Sequence, residues 1–284
     1  VSRYGLVAYA SSLDQIGPIT STTGDALAVL RIIAGVDPLD ATSAPADVDL
    51  PIDPPCKPVL GVTVGVPRQV RHAAADTPAG ALLDEAIARI GERGGRVIEV
   101  DFAGIDFGIA AYYIIATAEA SSNLARFDGV RYGRRAALAA GEGLESLYVR
   151  SRTEGFGPEV RKRIMLGTHA LSSGYYDAYY ATALRAREVI RADYARAFEA
   201  GCHAILTPTT PGPAFRLGEK TDDPLTMYLE DVYTVGVNLA GLPAVSVPFR
   251  NDDATGLPLG VQFVGEKFRE NHLLRIATLA APTR

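Results

Sequence analysis

The sequence is poor in the residues that make covalent or metal cross-links. It has two cysteines among 284 residues, Cys56 and Cys202, and four histidines. The cysteines lie far apart and outside any Cys-x-x-Cys or Cys/His cluster, which argues against a zinc site. The pattern instead favours two reduced thiols over a disulfide. We therefore expect a fold held by its apolar core, for which 48% hydrophobic residues are ample.

Long apolar runs and dense basic runs are also missing. The longest apolar stretch, residues 109–118, includes Tyr112 and Tyr113 and indicates a buried helix, because a membrane span needs about 20 apolar residues. No signal-peptide pattern is present. The formal net charge is −5, and only four of the 28 basic residues are lysines. No basic stripe is dense enough to bind phosphates, so the composition disfavours direct nucleic-acid binding.

Several well-known catalytic motifs do not occur. There is no Gly-x-Ser-x-Gly segment, no Gly-x-Gly-x-x-Gly after a predicted strand and no P-loop, so nothing supports a nucleophile-elbow hydrolase, a dehydrogenase or a nucleotide-binding protein. No histidine sits in a setting that predicts a general base. We interpret the serine pairs as capping or packing hydroxyls, since no spacing guarantees an activating base. The histidines are His72, His169, His203 and His272, and the serine pairs are Ser11-Ser12, Ser121-Ser122 and Ser172-Ser173.

Apolar periodicity and turn residues predict an α/β protein. The order strand, helix, strand over residues 59–100 predicts a parallel pair joined by a right-handed crossover. Residues 37–58, rich in Pro, Asp, Ser and Thr, indicate a surface loop. The predicted strands are residues 5–10, 59–66, 96–100, 204–207, 244–249 and 259–264. The predicted helices are residues 26–34, 78–93, most of 105–200, 228–239 and 271–280. Together they favour a layered fold with a mixed sheet.

Three stretches resemble the amidase family, whose members cleave carboxamides with a Ser–Ser–Lys triad. They are SSLDQIGP at residues 11–18, NLAGLPAVSVP at 238–248 and GLPLGVQFVG at 256–265, in the family's order and spacing. Four further stretches are similar to one branch of this family, the A subunits of glutamyl-tRNA(Gln)/aspartyl-tRNA(Asn) amidotransferases. They are residues 119–129, 161–168, 171–180 and 223–228. The resemblance covers nearly the whole chain and implies an amidase-type layered fold, with a mixed central sheet flanked by helices.

The resemblance also implies what the chain does not contain. The family's lysine base, bridging serine and nucleophilic serine map upstream of Val1, and Ser172-Ser173-Gly174 lacks the glycines that flank the bridging serine. We therefore interpret residues 1–284 as the C-terminal part of a single amidase domain. This interpretation places no catalytic residue in the chain and predicts that the chain alone is inactive.

The resemblance assigns substrate-binding roles to three residues. Arg163 would bind the α-carboxylate of glutamine, Asp231 would bind its α-ammonium group, and Tyr112 would line the same pocket. The residues themselves also permit simpler roles: a solvated charge for Arg163, a helix-dipole contact for Asp231 and a core aromatic for Tyr112. Asp14 and Gln15 either support the wall of the site or bond to local backbone.

The implied activity is that of a glutaminase, which forms part of a carbon–nitrogen ligase with glutamine as amide donor. Its ammonia would pass to a partner subunit that converts Glu-tRNA(Gln) to Gln-tRNA(Gln). The implied partners are the B and C subunits, in the cytoplasm. ATP and Mg²⁺ would be used by the partner, and this chain would need no cofactor or metal of its own. Two alternatives stay open, namely a stand-alone amidase hydrolase and a non-catalytic remnant.

Overall fold

The computed structural model describes residues 1–46, 48, 50, 59, 61–220 and 224–281. The strands are β1 (Thr63–Pro67), β2 (Arg96–Val100), β3 (Ala204–Pro208), β4 (Ala244–Asn251) and β5 (Pro258–Val264). The helices are α1 (Thr23–Ile33), α2 (Arg68–Ala74), α3 (Pro78–Glu92), α4 (Gly108–Asn123), α5 (Leu144–Gly155), α6 (Pro158–Ala170), α7 (Tyr180–Glu199), α8 (Pro224–Leu229), α9 (Val235–Ala240) and α10 (Glu270–Ala277).

The five strands form one mixed sheet in the order β2-β1-β3-β5-β4. Strand β1 pairs in parallel with β2 and β3, whereas β5 pairs antiparallel with β3 and β4. All five residues of β3, the central strand, are buried, as expected where helices cover both faces of a sheet. The mixed sheet and the parallel β1–β2 pair confirm the predicted α/β class.

The main core lies between this sheet and helices α3 and α10. Leu82 and Leu83 of α3 pack with Leu206, Phe263 and other side chains that are almost completely buried. Helix α3 buries residues three and four positions apart, the period of a helix with one apolar face. It begins where predicted because the Thr77 side chain caps it and a proline occupies its first turn.

The chain divides into two compact units. The first unit comprises Val1–Tyr4, Gln15–Ile109 and Arg187–Arg284, and it contains the whole sheet. The second comprises Gly5–Asp14 and Ala110–Ala186, and it contains α5, α6 and most of α4. The chain passes from one unit to the other within α4 and within α7.

The structure differs from the sequence-based prediction of elements in three places. Residues 5–10 form turns instead of a strand, and the Asp14 carboxylate accepts the N–H groups of Tyr9 and Ala10 at 2.9 and 3.1 Å. The predicted helix 228–239 is two helices, α8 and α9, separated by a turn. Helix α2 directly follows β1, in a stretch for which the sequence predicts no element.

Part of the predicted surface loop can be compared with the structure. Residues 37–46 form turns and irregular backbone, as predicted. Positions 47, 49 and 51–58, including Cys56, lie outside the described residues. Cys202 is an unpaired, buried thiol, and its burial raises its pKa. In the described part of the chain, we find no helix that is both long and apolar enough to span a membrane.

Candidate functional site

Arg163 lies in the second unit, on the first half of α6. This helix starts at Pro158, whose fixed φ suits the first helical position. Glu159 is one turn before Arg163, and its Oε1 accepts a hydrogen bond from Arg163 Nε at 2.8 Å. Arg163 Nη1 donates to the hydroxyl of Tyr9 at 3.0 Å. The guanidinium carbon also lies 5.7 Å from the ring centroid of Tyr113, within the range of a cation–π contact.

These contacts orient the charge of Arg163. The side chain is 24% exposed. Burial lowers its pKa, but the hydrogen bonds with Tyr9 and Glu159 outweigh this effect and hold the pKa of Arg163 above its usual value. The same hydrogen bond lowers the pKa of the Glu159 carboxyl. Within the described ranges no acceptor bonds to Nη2, so part of the planar guanidinium fork remains for a ligand, and a carboxylate is the group that matches it.

Tyr112 lies in the same unit, on α4. It is half-buried, and its ring meets that of Tyr113 edge to face, with the centroids 5.1 Å apart. The structure therefore links Arg163, Tyr113 and Tyr112 into one cluster. The sequence predicts no binding role for Tyr9 or Tyr113, since nothing in it indicates that their rings meet an arginine many residues away.

Asp231 belongs to the first unit and lies in the turn between α8 and α9. Its carbonyl accepts the N–H groups of Thr234 and Val235 at 3.0 Å, which starts α9, and the residue is exposed. Gln262 of β5 connects this turn to the sheet. The residue is 6% exposed, and its Nε2 donates to the Tyr233 carbonyl at 3.0 Å. That Asp231, Arg163 and Tyr112 face one ligand stays a prediction.

The remaining candidate residues have structural partners. Asp14 bonds to local backbone, as one of the two interpretations proposed, and Gln15 Nε2 donates to Asn238 Oδ1 at 2.9 Å. Ser12 bonds through both its N–H and its hydroxyl to the carboxylate of Glu119. The hydroxyls of Ser121, Ser122 and Ser172 donate to backbone carbonyls of their own helices or turns. Each of these four serines thus has a hydrogen-bond partner in the structure.

No three His, Cys, Asp or Glu side chains of the described residues gather into a group that could hold a metal ion. His169 packs against Tyr175, with ring centroids 4.3 Å apart. His203 accepts a backbone hydrogen bond through Nδ1. Neither contact is that of a general base beside a nucleophile.

Comparison with known proteins identifies the family of this chain. Residues 1–274 match the family described as Amidase. Among the relatives are A subunits of glutamyl-tRNA(Gln) amidotransferases. The chain is 48% identical, over 97% of its length, to that of Salinibacter ruber, and 51% identical, over 98%, to that of Anaeromyxobacter dehalogenans. It spans 61% and 56% of the lengths of these relatives.

A solved structure gives the same result. One of the A subunits of known structure, from the glutamyl-tRNA(Gln) amidotransferase of Thermotoga maritima, superposes with a TM-score of 0.74 at 40% identity. The match covers 98% of this chain and 54% of that one. The similarity in fold and in sequence therefore extends over almost the whole chain. The chain belongs to the amidase family.

Proposed function

We propose that this chain is part of the glutaminase subunit of a glutamyl-tRNA(Gln) amidotransferase. The observation that supports this most is the similarity to A subunits over 97–98% of the chain at about 50% identity. In this function, glutamine is the amide donor for the ATP-dependent conversion of Glu-tRNA(Gln) to Gln-tRNA(Gln). The partners are B and C subunits in the cytoplasm, and ATP and Mg²⁺ bind to a partner.

The residues of this chain would bind glutamine and leave the bond-breaking chemistry to a serine outside it. Arg163 would bind the α-carboxylate, Asp231 the α-ammonium group, and Tyr112 would line the pocket. The orientation of the Arg163 guanidinium by Glu159 and Tyr9 supports the first of these roles, because a charge fixed in advance loses little entropy on binding. The chain alone would not hydrolyse glutamine.

The test uses the full-length protein in complex with its partner subunits. We expect Arg163→Ala, Arg163→Lys and Asp231→Ala to reduce glutamine-dependent transamidation severely, since loss of one partner of a desolvated charge pair costs about 2–5 kcal/mol. Lysine keeps the charge but not the planar fork. Transamidation with ammonium salt in place of glutamine should persist, because ammonia bypasses this pocket. Arg161→Ala is the matched control, being an exposed cation on the same helix.

Two outcomes would contradict these roles. Unchanged glutamine-dependent activity in the Arg163 and Asp231 variants would make both residues surface charges. Hydrolysis of simple amides by the full-length protein, without co-purifying B and C subunits, would instead identify a stand-alone amidase.

A further inference from the structure

We propose that Tyr9 is an additional substrate-binding residue, which acts together with Arg163 to bind the carboxylate of the substrate amino acid. In this arrangement the Tyr9 O–H donates to one carboxylate oxygen and the Arg163 guanidinium donates to the other. This inference rests on the proposed function, and it adds the residue that distinguishes a substrate with a carboxylate from a simple amide.

The hydrogen bond between the two side chains leaves donors on both. Arg163 Nη1 donates to Tyr9 Oη at 3.0 Å, so the phenol acts as an acceptor in this contact and keeps its own proton. Among the residues that the structure describes, no acceptor takes the Tyr9 hydroxyl proton or bonds to Arg163 Nη2. A phenol O–H and a guanidinium N–H are therefore side by side. A carboxylate has the two strong acceptor oxygens that such a pair requires.

The backbone of Tyr9 is fixed from both sides by other side chains. Asp14 accepts its N–H at 2.9 Å, and Asn123 Nδ2 donates to its carbonyl at 3.1 Å and to the Ser11 hydroxyl at 2.8 Å. These bonds hold the loop of residues 5–14 on α4 without using the phenol group. The ring is thus positioned before a ligand arrives, as efficient recognition requires.

The charge of each neighbour also fits this role. Glu159 bonds to Nε of Arg163 and orients the guanidinium from one edge. A second carboxylate at the position of Tyr9 would give the group a net negative charge and repel an anionic ligand. The phenol instead orients Nη1 without adding a negative charge beside the substrate.

The test is Tyr9→Phe in the full-length protein in complex with its partner subunits. Phenylalanine keeps the ring and leaves the backbone bonds of residue 9 in place. We expect the KM for glutamine to rise about tenfold or more, because hydrogen bonds to charged groups are the stronger ones. With glutamine methyl ester, which has no α-carboxylate, KM should change by less than about twofold. Tyr148→Phe, at an exposed tyrosine of α5 in the same unit, is the control and should leave both values unchanged.

The other outcomes separate this inference from the proposed function. If Arg163→Ala raises the KM for glutamine and Tyr9→Phe does not, the role of Tyr9 is wrong and the proposed function stands. If neither variant changes the KM for glutamine, both the role of Tyr9 and the proposed function are wrong. If Tyr9→Phe raises the KM of glutamine and of its methyl ester equally, the phenol does not contact the carboxylate and the inference is overturned.

Discussion

Gly167 allows the backbones of α6 and α4, two helices of the second unit, to lie in contact. A Cβ atom at this position of α6 would lie 1.9 Å from the carbonyl oxygen of Thr117 on α4, and 2.4 Å from its carbonyl carbon. Only a hydrogen atom fits in that space. Since α6 also carries Arg163, and α4 carries Tyr112 and Tyr113, this contact sets the separation of the residues in the candidate site.

Gly167→Ala should therefore destabilise the protein despite the higher helix propensity of alanine. We expect a loss of about 1–3 kcal/mol or more in the free energy of unfolding, because the new methyl group meets backbone that cannot rotate away. Gly91→Ala in α3 is the matched control, since no atom lies within 4 Å of its Cβ position. This control should gain up to about 1 kcal/mol. Urea denaturation measures the free energy of unfolding of both variants. Equal changes in the two variants would contradict the close contact at Gly167.

Gln262 is a second residue whose role depends on burial. Its Nε2 donates to the Tyr233 carbonyl and to the Thr207 hydroxyl, at 3.0 and 3.1 Å. Gln262→Leu should cost about 1–3 kcal/mol of unfolding free energy, because it leaves buried acceptors without a donor. Thr207→Val removes one of these partners. If the network is real, the double variant loses less than the sum of the two single losses in denaturation experiments.

At this scale, the sequence names some residues of the candidate site and not others. Arg163, Asp231 and Tyr112 were predicted by family resemblance and their roles stay predictions; of the three, only Arg163 lies within a stretch quoted for the resemblance. Tyr9 was not predicted, since it lies 154 positions from Arg163 and no local pattern links a phenol to a distant guanidinium. Gln262 lies within a motif quoted for the family, yet its two hydrogen bonds became visible only once the strands and the turn were placed.

A histidine side chain joins β1 and β3 at one end of the sheet. The Thr63 N–H donates to Nδ1 of His203 at 3.0 Å, and the His203 N–H donates to the Thr63 carbonyl at 2.8 Å. Nδ1 is therefore the acceptor nitrogen of this imidazole. His272 of α10 lies beside it, with ring centroids 5.9 Å apart. Burial, followed by the charges of His203 and of Arg269 and Arg275, lowers the pKa of His272 below its usual 6.5.

This arrangement predicts that acid destabilises the protein through these elements. The unfolded chain takes up a proton on His272 near pH 6.5, whereas the folded chain does so only at lower pH. The unfolded state thus binds more protons between the two pKa values, and stability rises with pH there. The contribution is complete above pH 6.5 and is lost as the pH falls through the folded pKa.

Urea denaturation at a series of pH values tests this prediction. His272→Asn should reduce the pH dependence of the free energy of unfolding. His72→Asn, at an exposed histidine of α2, should leave it unchanged. An identical pH dependence in the His272 variant and the unmodified chain would show that this histidine does not couple to folding.

Elements with a strong hydrophobic period and clear caps were predictable. The secondary structure of short apolar runs was not. The bounds of α3 and β2 were correct to within a residue because Thr77, Pro78 and a Gly-Gly turn mark them. Residues 5–10 have the apolar character of a strand, but the carboxylate of Asp14, a few residues further along, supplies the partners that a neighbouring strand would otherwise provide. Apolar pattern alone cannot reveal that competition.

At the scale of the whole molecule, the β4 edge of the described sheet has features that oppose edge-to-edge pairing between copies of the chain. Strand β4 lies at one end of the described sheet. Its pairing register shifts between Pro248 and Arg250. Proline has no N–H to offer to another strand, and both prolines and bulges interrupt the edge-to-edge pairing that leads to aggregation.

Pro248→Val should therefore increase self-association, because it adds a backbone donor and a strong strand former to β4. We expect faster growth of light scattering on mild heating than for the unmodified chain. Pro213→Val, in a loop outside the sheet, is the control. Equal scattering by the two variants would mean that β4 is not the strand through which copies associate.

The second unit is built from separate segments of the chain, and this affects how it folds during synthesis. Its parts are far apart along the chain: Ser12 bonds to Glu119, 107 positions later, and Tyr9 bonds to Arg163, 154 positions later. Closing such long loops costs entropy before any contact is gained, which slows folding. At roughly 5–20 residues per second, Tyr9 is synthesised on the order of ten seconds before Arg163. A nascent chain that stops before α6 therefore has the loop of residues 5–14 but not the Arg163 guanidinium that this loop contacts.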